Sequence, residues 1–137
     1  MNITLRAGER LYINGAVIRT DRKTTIELLN DATFLLETHV MQAADATTPL
    51  RQIYFVLQVM LMDPASAKTT SQLVKSLIDK SFDAFAAEEI RARLRTIVDL
   101  VGRGRYFEAM KSIRAMYTLE TAEMFPASAA VPSSNAA

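Results

Sequence analysis

The strongest constraint on the fold is a change in the spacing of apolar residues near residue 48. Before that point, apolar and β-branched residues occur in short runs separated by turn signals, which is typical of β-strands. From Thr48 onward, apolar residues recur at every third or fourth position, which is the spacing of amphipathic helices. The chain therefore predicts an α+β fold, in which a small N-terminal antiparallel β-sheet is followed by helices.

The N-terminal part predicts about five short strands. They are Ile3–Leu5, Leu11–Ile13, Ala16–Thr20, Lys23–Leu29 and Thr33–Leu36. Asn14-Gly15 predicts a tight hairpin, because both central residues of a type I′ turn have positive φ, which Asn and Gly tolerate. Apolar and polar residues alternate along the fourth strand, so we expect one covered and one wet face of the sheet.

The C-terminal part predicts about four helices. Thr48-Pro49 is a typical helix start and Asp63-Pro64 a typical end, so the first helix lies between them. It is apolar over more than half its circumference, which indicates either a central core helix or a dimer contact. The second helix is expected over residues 70–82, the third over residues 87–101, and the fourth from near Arg105. Their predicted inward residues are Leu73, Leu77, Ile78 and Phe82, then Ile90, Leu94, Ile97 and Val101, then Phe107, Met110, Ile113 and Tyr117.

The length of 137 residues predicts one domain over residues 1–124, with a β part at 1–40 and a helical part at 48–124. Residues 125–137 carry no charge and consist largely of Ala, Ser and Pro, which predicts a disordered tail. No apolar run reaches about 18 residues, and no signal-peptide pattern is visible. With no cysteine in the chain, we expect a cytoplasmic protein that does not contact a membrane.

Enzymatic and metal-binding patterns are missing from the sequence. His39 is the only histidine, so Cys- and His-based metal sites are excluded by count. No Gly-x-Ser-x-Gly or phosphate-binding glycine loop is present. We therefore predict no catalytic residues, no metal and no cofactor, and we expect His39 to be an ordinary hydrogen-bonded group.

The net charge of +1 conceals a segregation of positive charge. Residues 1–25 and residues 88–114 each carry a net charge of +3. Arginine suits phosphates and base edges, since its planar guanidinium donates hydrogen bonds in pairs and can stack on a base, and a tyrosine can add an aromatic platform. Exposed strands also carry arginines to stay soluble and to discourage edge pairing. The candidate RNA-binding residues are Arg6, Arg10, Arg19, Arg22, Lys23 and Tyr12, with Arg103 and Arg105 as secondary candidates.

Three blocks resemble the FlbT family of flagellin-synthesis regulators in alphaproteobacteria. Residues 5–18, which contain Arg6-Ala7-Gly8-Glu9-Arg10, are similar to its N-terminal signature. Residues 48–55, followed by Val59-Met60, are similar to its helix entry, and residues 104–111 to its last helix. The blocks follow the family's order over about residues 3–118. The resemblance implies binding to the 5′ untranslated region of flagellin messenger RNA, usually with repression of translation or promotion of decay. It also implies FlaF as a partner.

Residues 6–13 also resemble the start of the carbon storage regulator family of RNA-binding dimers. That resemblance implies an RNA surface on the first strand beside a basic stretch on the last strand. In this chain, the segment Leu36-Glu37-Thr38-His39 has an acidic residue near the position where that family has its basic pair.

The alternative function is a protein–protein module that docks FlaF or flagellin and affects messenger RNA only indirectly.

Overall fold

The computed structural model describes residues 1–125, and the α+β class is confirmed over that range. The five strands are β1 Asn2–Leu5, β2 Arg10–Ile13, β3 Ala16–Arg19, β4 Thr24–Glu27 and β5 Phe34–Leu36. The five α-helices are α1 Pro49–Met62, α2 Ala67–Ala84, α3 Glu88–Gly102, α4 Tyr106–Arg114 and α5 Tyr117–Met124. Single-turn 3₁₀ helices occur at Glu37–His39, Ala43–Asp45 and Pro64–Ser66. The predicted disordered tail lies, from residue 126 onward, outside the described residues.

The five strands form two sheets, where the sequence predicted one. β1 pairs antiparallel with β4, while β2 lies between β3 and β5 in a second antiparallel sheet. The β2–β3 hairpin is thus enclosed between β1 and β4 along the chain. Turn signals indicate where strands end, but the partner of β1 is decided by side chains distant in sequence. For that reason the local sequence pattern predicted the strands but not their division into two sheets.

The three-stranded sheet is the middle layer of the molecule. Ile3 and Leu5 of the first sheet and Leu11 of the second are buried together in a small core. Leu35 of β5 is buried in the main helical core instead, and Tyr12 of β2 packs against that same core. Since neighbouring residues of a strand point to opposite faces, β2 and β5 contribute to both cores. The layers are therefore β1–β4, then β3–β2–β5, then the helices.

The predicted hairpin turn is confirmed. Asn14 has φ of 48° and Gly15 has φ of 81°, so both central residues adopt the left-handed conformation of a type I′ turn. Ile13 and Ala16 are paired on either side of the turn. The predicted alternation of β4 is also confirmed, because Thr24 and Ile26 are partly buried while Thr25 and Glu27 are exposed.

Helix α1 begins where predicted and is the centre of the main core. The Thr48 hydroxyl accepts a hydrogen bond from the Arg51 backbone N–H at 3.3 Å, and Pro49 occupies the first helical position. Seven of its fourteen residues are buried, and it packs mainly against α2 and α4. The broad apolar surface predicted from the sequence is therefore largely covered within the chain.

Helices α2 and α3 follow their predictions to different degrees. All four predicted inward residues of α3 are buried: Ile90, Leu94, Ile97 and Val101. Helix α2 is longer than predicted at both ends, and its buried residues are Val74, Ile78 and Ser81. Leu73 was wrongly expected inside, and 49% of it is exposed. The stripe centred on Val74 and Ile78 packs on α1. Leu73 is the residue before Val74, so its side chain points to one side of that stripe.

The predicted fourth helix is two helices, α4 and α5, separated by Ala115 and Met116. The Met116 N–H bonds to the Ile113 carbonyl at 2.9 Å, a tightened turn that leaves Met116 fully buried. α5 then brings two carboxylates to the starts of other helices. Glu120 accepts from the Thr48 hydroxyl at 2.7 Å and the Leu50 N–H at 2.8 Å. Glu123 accepts from the two backbone N–H groups directly before α3, at 2.9 and 2.8 Å.

Helix α3 ends at the glycines, as predicted. Gly104 has φ of 75°, the Gly104 N–H bonds to the Val101 carbonyl, and the Arg105 N–H bonds to the Leu100 carbonyl. These two bonds form a Schellman motif, which satisfies the last carbonyls of a helix. Within residues 1–125, none of the helices is long and apolar enough to cross a membrane.

Candidate nucleic-acid interface

The structure brings the five primary basic candidates to one end of the β part. The β1–β2 turn is tied to the end of β3 by a hydrogen bond from the Gly8 N–H to the Thr20 carbonyl at 2.8 Å. Leu5 pairs with Thr24, so the β3–β4 turn lies beside the β1–β2 turn. These two turns and the adjoining strand ends carry Arg6, Arg10, Arg19, Arg22 and Lys23, all exposed. We call this group the basic end.

Within the basic end, Arg10 and Arg19 are direct partners across the β2–β3 pair. Like charges placed opposite each other in a sheet repel and lower stability. Glu37 lies on the other side of β2, with its Oε1 atom 3.8 Å from Arg10 Nε. The pair is about half exposed on both sides, so water screens it and it contributes little. The acid noted in the sequence, Glu37, therefore lies beside β2 and not beside the first strand, whose partner is β4, and it leaves Arg10 accessible.

The other charges of the basic end are also open to solvent. Arg22 approaches Asp21 at 3.6 Å, with more than four-fifths of both side chains exposed. Glu9 accepts a hydrogen bond from the Arg6 backbone N–H at 3.0 Å, so its carboxylate shapes the turn. Among residues 1–125, Arg6, Arg19 and Lys23 form no ion pair within 4.0 Å. Five cations thus face three nearby carboxylates.

Tyr12 has a different position from the basic residues. It is partly buried and packs against the main core, on the face of β2 opposite Leu11. The ring therefore helps to join the middle sheet to the helices. Its predicted use as a base-stacking platform is limited to the part of the ring that remains exposed.

The secondary candidates lie away from the basic end. Gly104, between Arg103 and Arg105, lines a cavity together with Asn14, which is at the far end of β2 from Arg10. Arg103 pairs with Asp99 at 3.2 Å, and Arg105 Nε donates to Glu108 at 2.7 Å. Both guanidiniums are thus locally paired, and the structure does not join them to the basic end.

No metal centre or histidine-based site accompanies these residues in the described part of the chain. Residues 1–125 contain no cluster of three or more His, Asp or Glu side chains that could hold a metal ion. His39 is exposed in a 3₁₀ turn, and its backbone carbonyl accepts a hydrogen bond from the Tyr54 hydroxyl at 2.8 Å. The geometry is that of a charged surface on a packed scaffold.

A second pair of arginines, Arg51 on α1 and Arg114 on α4, was not among the predicted site residues. They line one cavity although 62 intervening residues separate them in the chain. The spacing of apolar residues gave no signal for them, because that spacing describes how each helix packs and not which charges of different helices meet. Only the packing of α1 against α4 brings them together.

Comparison with known proteins identifies the family. A family model described as "Flagellar protein FlbT" matches residues 1–124. The chain belongs to the FlbT family. The resemblance that the sequence blocks indicated is therefore confirmed, and it extends beyond those blocks to nearly all of the described residues.

Relatives in the FlbT family carry the name "Probable flagellum biosynthesis repressor protein FlbT". The relative from Chelativorans sp. (strain BNC1) is 51% identical over 118 residues, covering 86% of this chain and 81% of its own length. Those from Brucella anthropi and Brucella ovis are 51% identical over 120 residues, covering 88% of this chain and 79% of theirs. These names support a regulatory role in flagellar synthesis, and repression is not a class of enzyme activity. No solved structure matches the chain.

Proposed function

We propose that this chain represses flagellin synthesis after transcription, by binding the 5′ untranslated region of flagellin messenger RNA through its basic end. The observation that carries the proposal is the direct pairing of Arg10 with Arg19. Two guanidiniums held opposite each other cost stability in the free protein. Phosphates lying between them would remove that repulsion. Arg6, Arg22 and Lys23 extend the same positive surface across both turns.

The mechanism needs no chemistry on the RNA. Arginine forks donate paired hydrogen bonds to phosphates or base edges, and single-stranded leader RNA leaves both accessible. A protein bound there would block access of the ribosome or expose the message to nucleases. The backbone hydrogen bonds of the two sheets would fix the spacing of the turns that carry the cations.

The test is a gel-shift titration of a flagellin leader RNA over a range of salt concentrations. Direct binding through about four phosphates gives a log–log salt slope of about −3 for single-stranded RNA. The double variant Arg6→Ala with Arg10→Ala should weaken binding. It should also make the salt slope less negative, by the amount expected for the loss of about two phosphate contacts. The matched control is Arg93→Ala with Arg95→Ala, which removes the same charge from partly or fully exposed, ion-paired sites on α3. Equal losses in both variants, or no shift at low salt, contradict the proposal.

A second candidate function is docking of a flagellar protein, FlaF or flagellin, or of a second copy of the chain. It is favoured by the edge strand β3, where 61% of Val17 and 39% of Ile18 are exposed. An unpaired strand edge can accept a strand of another protein. Replacing both residues with Thr keeps the β-propensity and removes apolar area. Sedimentation velocity with and without purified FlaF or flagellin should then show loss of the complex if β3 is the contact.

A further inference from the structure

A cavity of about 480 Å³ opens between the loop that follows β5 and the helices α1, α4 and α5. Its volume lies within the range of roughly 300–1,000 Å³ that is usual for small-ligand sites. None of the eight sequence-predicted RNA-binding residues lines it. The first lining residue along the chain is Thr38, which directly follows Glu37, the partner of Arg10. The cavity is therefore a separate site that adjoins the basic end.

The loop wall of this cavity is held in place by buried side chains of α1. The amide of Gln58, of which only 3% is exposed, accepts from the Met41 N–H at 2.6 Å and donates to the Met41 carbonyl at 2.9 Å. Tyr54 donates its hydroxyl hydrogen to the His39 carbonyl at 2.8 Å. These bonds form the cavity in advance, which reduces the ordering cost of binding a ligand.

The cavity carries more positive than negative charge. Arg51 and Arg114 line it, and neither lies within 4.0 Å of a carboxylate in the described part of the chain. Opposing them among the lining residues is the carboxylate of Asp45. Glu120 is also near Tyr117, but it is buried and both of its oxygens accept hydrogen bonds at the start of α1.

Tyr117 links the two arginines. The Arg51 guanidinium carbon lies 4.2 Å from the centroid of the Tyr117 ring, a cation–π contact that limits its freedom. Burial raises the pKa of Tyr117, whereas the positive charges of Arg51 and Arg114 act on that pKa in the opposite direction. Because both guanidiniums belong to residues that line the same cavity, one anion bound there can interact with both.

We propose that this cavity binds a phosphate group carried by a ribose, either in a free ribonucleotide or in an RNA chain. A phosphate has enough oxygens to accept from two guanidiniums while remaining bonded to its sugar. Inorganic phosphate alone would leave most of the volume empty. The lining includes the polar side chains of Thr38, Thr47 and Asp45, which can hydrogen-bond ribose hydroxyls. The apolar atoms of Val40 and Met41 can contact the C–H groups of the sugar ring.

The direct test uses ribose 5-phosphate, with ribose and acetate as the uncharged and carboxylate comparisons. Isothermal titration calorimetry of the full chain should show saturable binding of ribose 5-phosphate only. Arg51→Gln and Arg114→Gln should each weaken it by about tenfold, because each removes a charge-assisted hydrogen-bonding group. Arg51→Lys should recover part of the affinity, and the control Arg95→Gln on α3 should change nothing. Thermal unfolding of every variant identifies any loss caused by misfolding.

The RNA arm repeats the gel shift with the same variants. Weakened RNA binding by Arg51→Gln and Arg114→Gln would assign the phosphate to the RNA chain, and unchanged RNA binding would assign it to a free nucleotide. Absence of ribose 5-phosphate binding, equal binding of acetate, or an equal loss in Arg95→Gln overturns the inference. If RNA binds and ribose 5-phosphate does not, the inference fails while the proposed function stands. If ribose 5-phosphate binds and RNA does not, the reverse holds.

Discussion

The β part and the helical part of this chain differ in how they use their residues. The helical core contains 18 buried residues, whereas the small core between the two sheets contains three. The basic end occupies the turns around the small core, and all five of its cations are exposed. Stability is therefore concentrated in the helices, while the β part holds exposed charge on a lightly packed support.

The largest expected effect comes from truncating equivalent residues in the two cores. Leu57 of α1 and Leu5 of β1 are both 0% exposed. Leu57→Ala should cost about 4 kcal/mol of unfolding free energy, because the surrounding helices cannot close the cavity. Leu5→Ala should cost about 2 kcal/mol, since the thin sheets can relax. Urea denaturation of both variants provides the measurement, and equal losses would contradict the comparison.

The next effect concerns the contact between the last and first helices. Glu120→Gln keeps the shape of the side chain but replaces one carboxylate oxygen with an NH2 group, so that only one of the Thr48 hydroxyl and the Leu50 N–H keeps its acceptor. A buried donor left without an acceptor costs about 1–3 kcal/mol, so we expect a loss of about 2 kcal/mol. Thr121→Ala on the exposed side of α5 is the control and should change stability by less than about 0.5 kcal/mol. A similar loss of unfolding free energy in both variants would contradict the prediction, because the loss would not come from the hydrogen bonds of Glu120.

A smaller change in stability is expected at the two glycines at the end of α3, and its sign should differ between them. Gly104→Ala should destabilise by about 1 kcal/mol, because its φ of 75° is unfavourable for a residue with a Cβ atom. Gly102 is helical with open space around it, so Gly102→Ala should stabilise by up to about 1 kcal/mol. Thermal denaturation of both variants measures the changes. Opposite signs support the Schellman turn, and equal signs contradict it.

The smallest effect on stability is expected at the basic end. Arg19→Thr should leave the unfolding free energy unchanged or raise it by a few tenths of a kcal/mol, because it removes the repulsion from Arg10. The same variant should weaken binding of the leader RNA. A clear loss of stability would instead show that Arg19 supports the sheet, and the division between the two parts would no longer hold.

Local chemistry explains which features the sequence predicted well. Asn14-Gly15 and Thr48-Pro49 specify a turn and a helix start through their own backbone preferences, independently of distant residues. The inward face of α3 follows from its period, since one side of that helix is apolar and the other charged. The two turns that carry the basic residues were also predicted from the local sequence, whereas the meeting of those turns depends on the pairing of β1 with β4.

The features that escaped prediction depend on contacts between distant segments. The pairing of β1 with β4 joins residues more than 18 positions apart, past an intervening hairpin. The break between α4 and α5 buries Met116 and directs Glu120 toward α1, which no local pattern indicates. The cavity arginines, Arg51 and Arg114, lie on different helices far apart in sequence and become a pair only through packing.

The contact of Glu120 with the start of α1 has a consequence for how the protein is made. Its acceptor atoms serve groups 70 and 72 positions earlier, and Glu123 serves groups 36 and 37 positions earlier. During synthesis, which proceeds from the N-terminus, α1 emerges long before the carboxylate that completes its first turn. The main core therefore becomes fully hydrogen-bonded only after α5 has left the ribosome. A chain interrupted before residue 120 would leave the Leu50 N–H at the start of α1 without its acceptor.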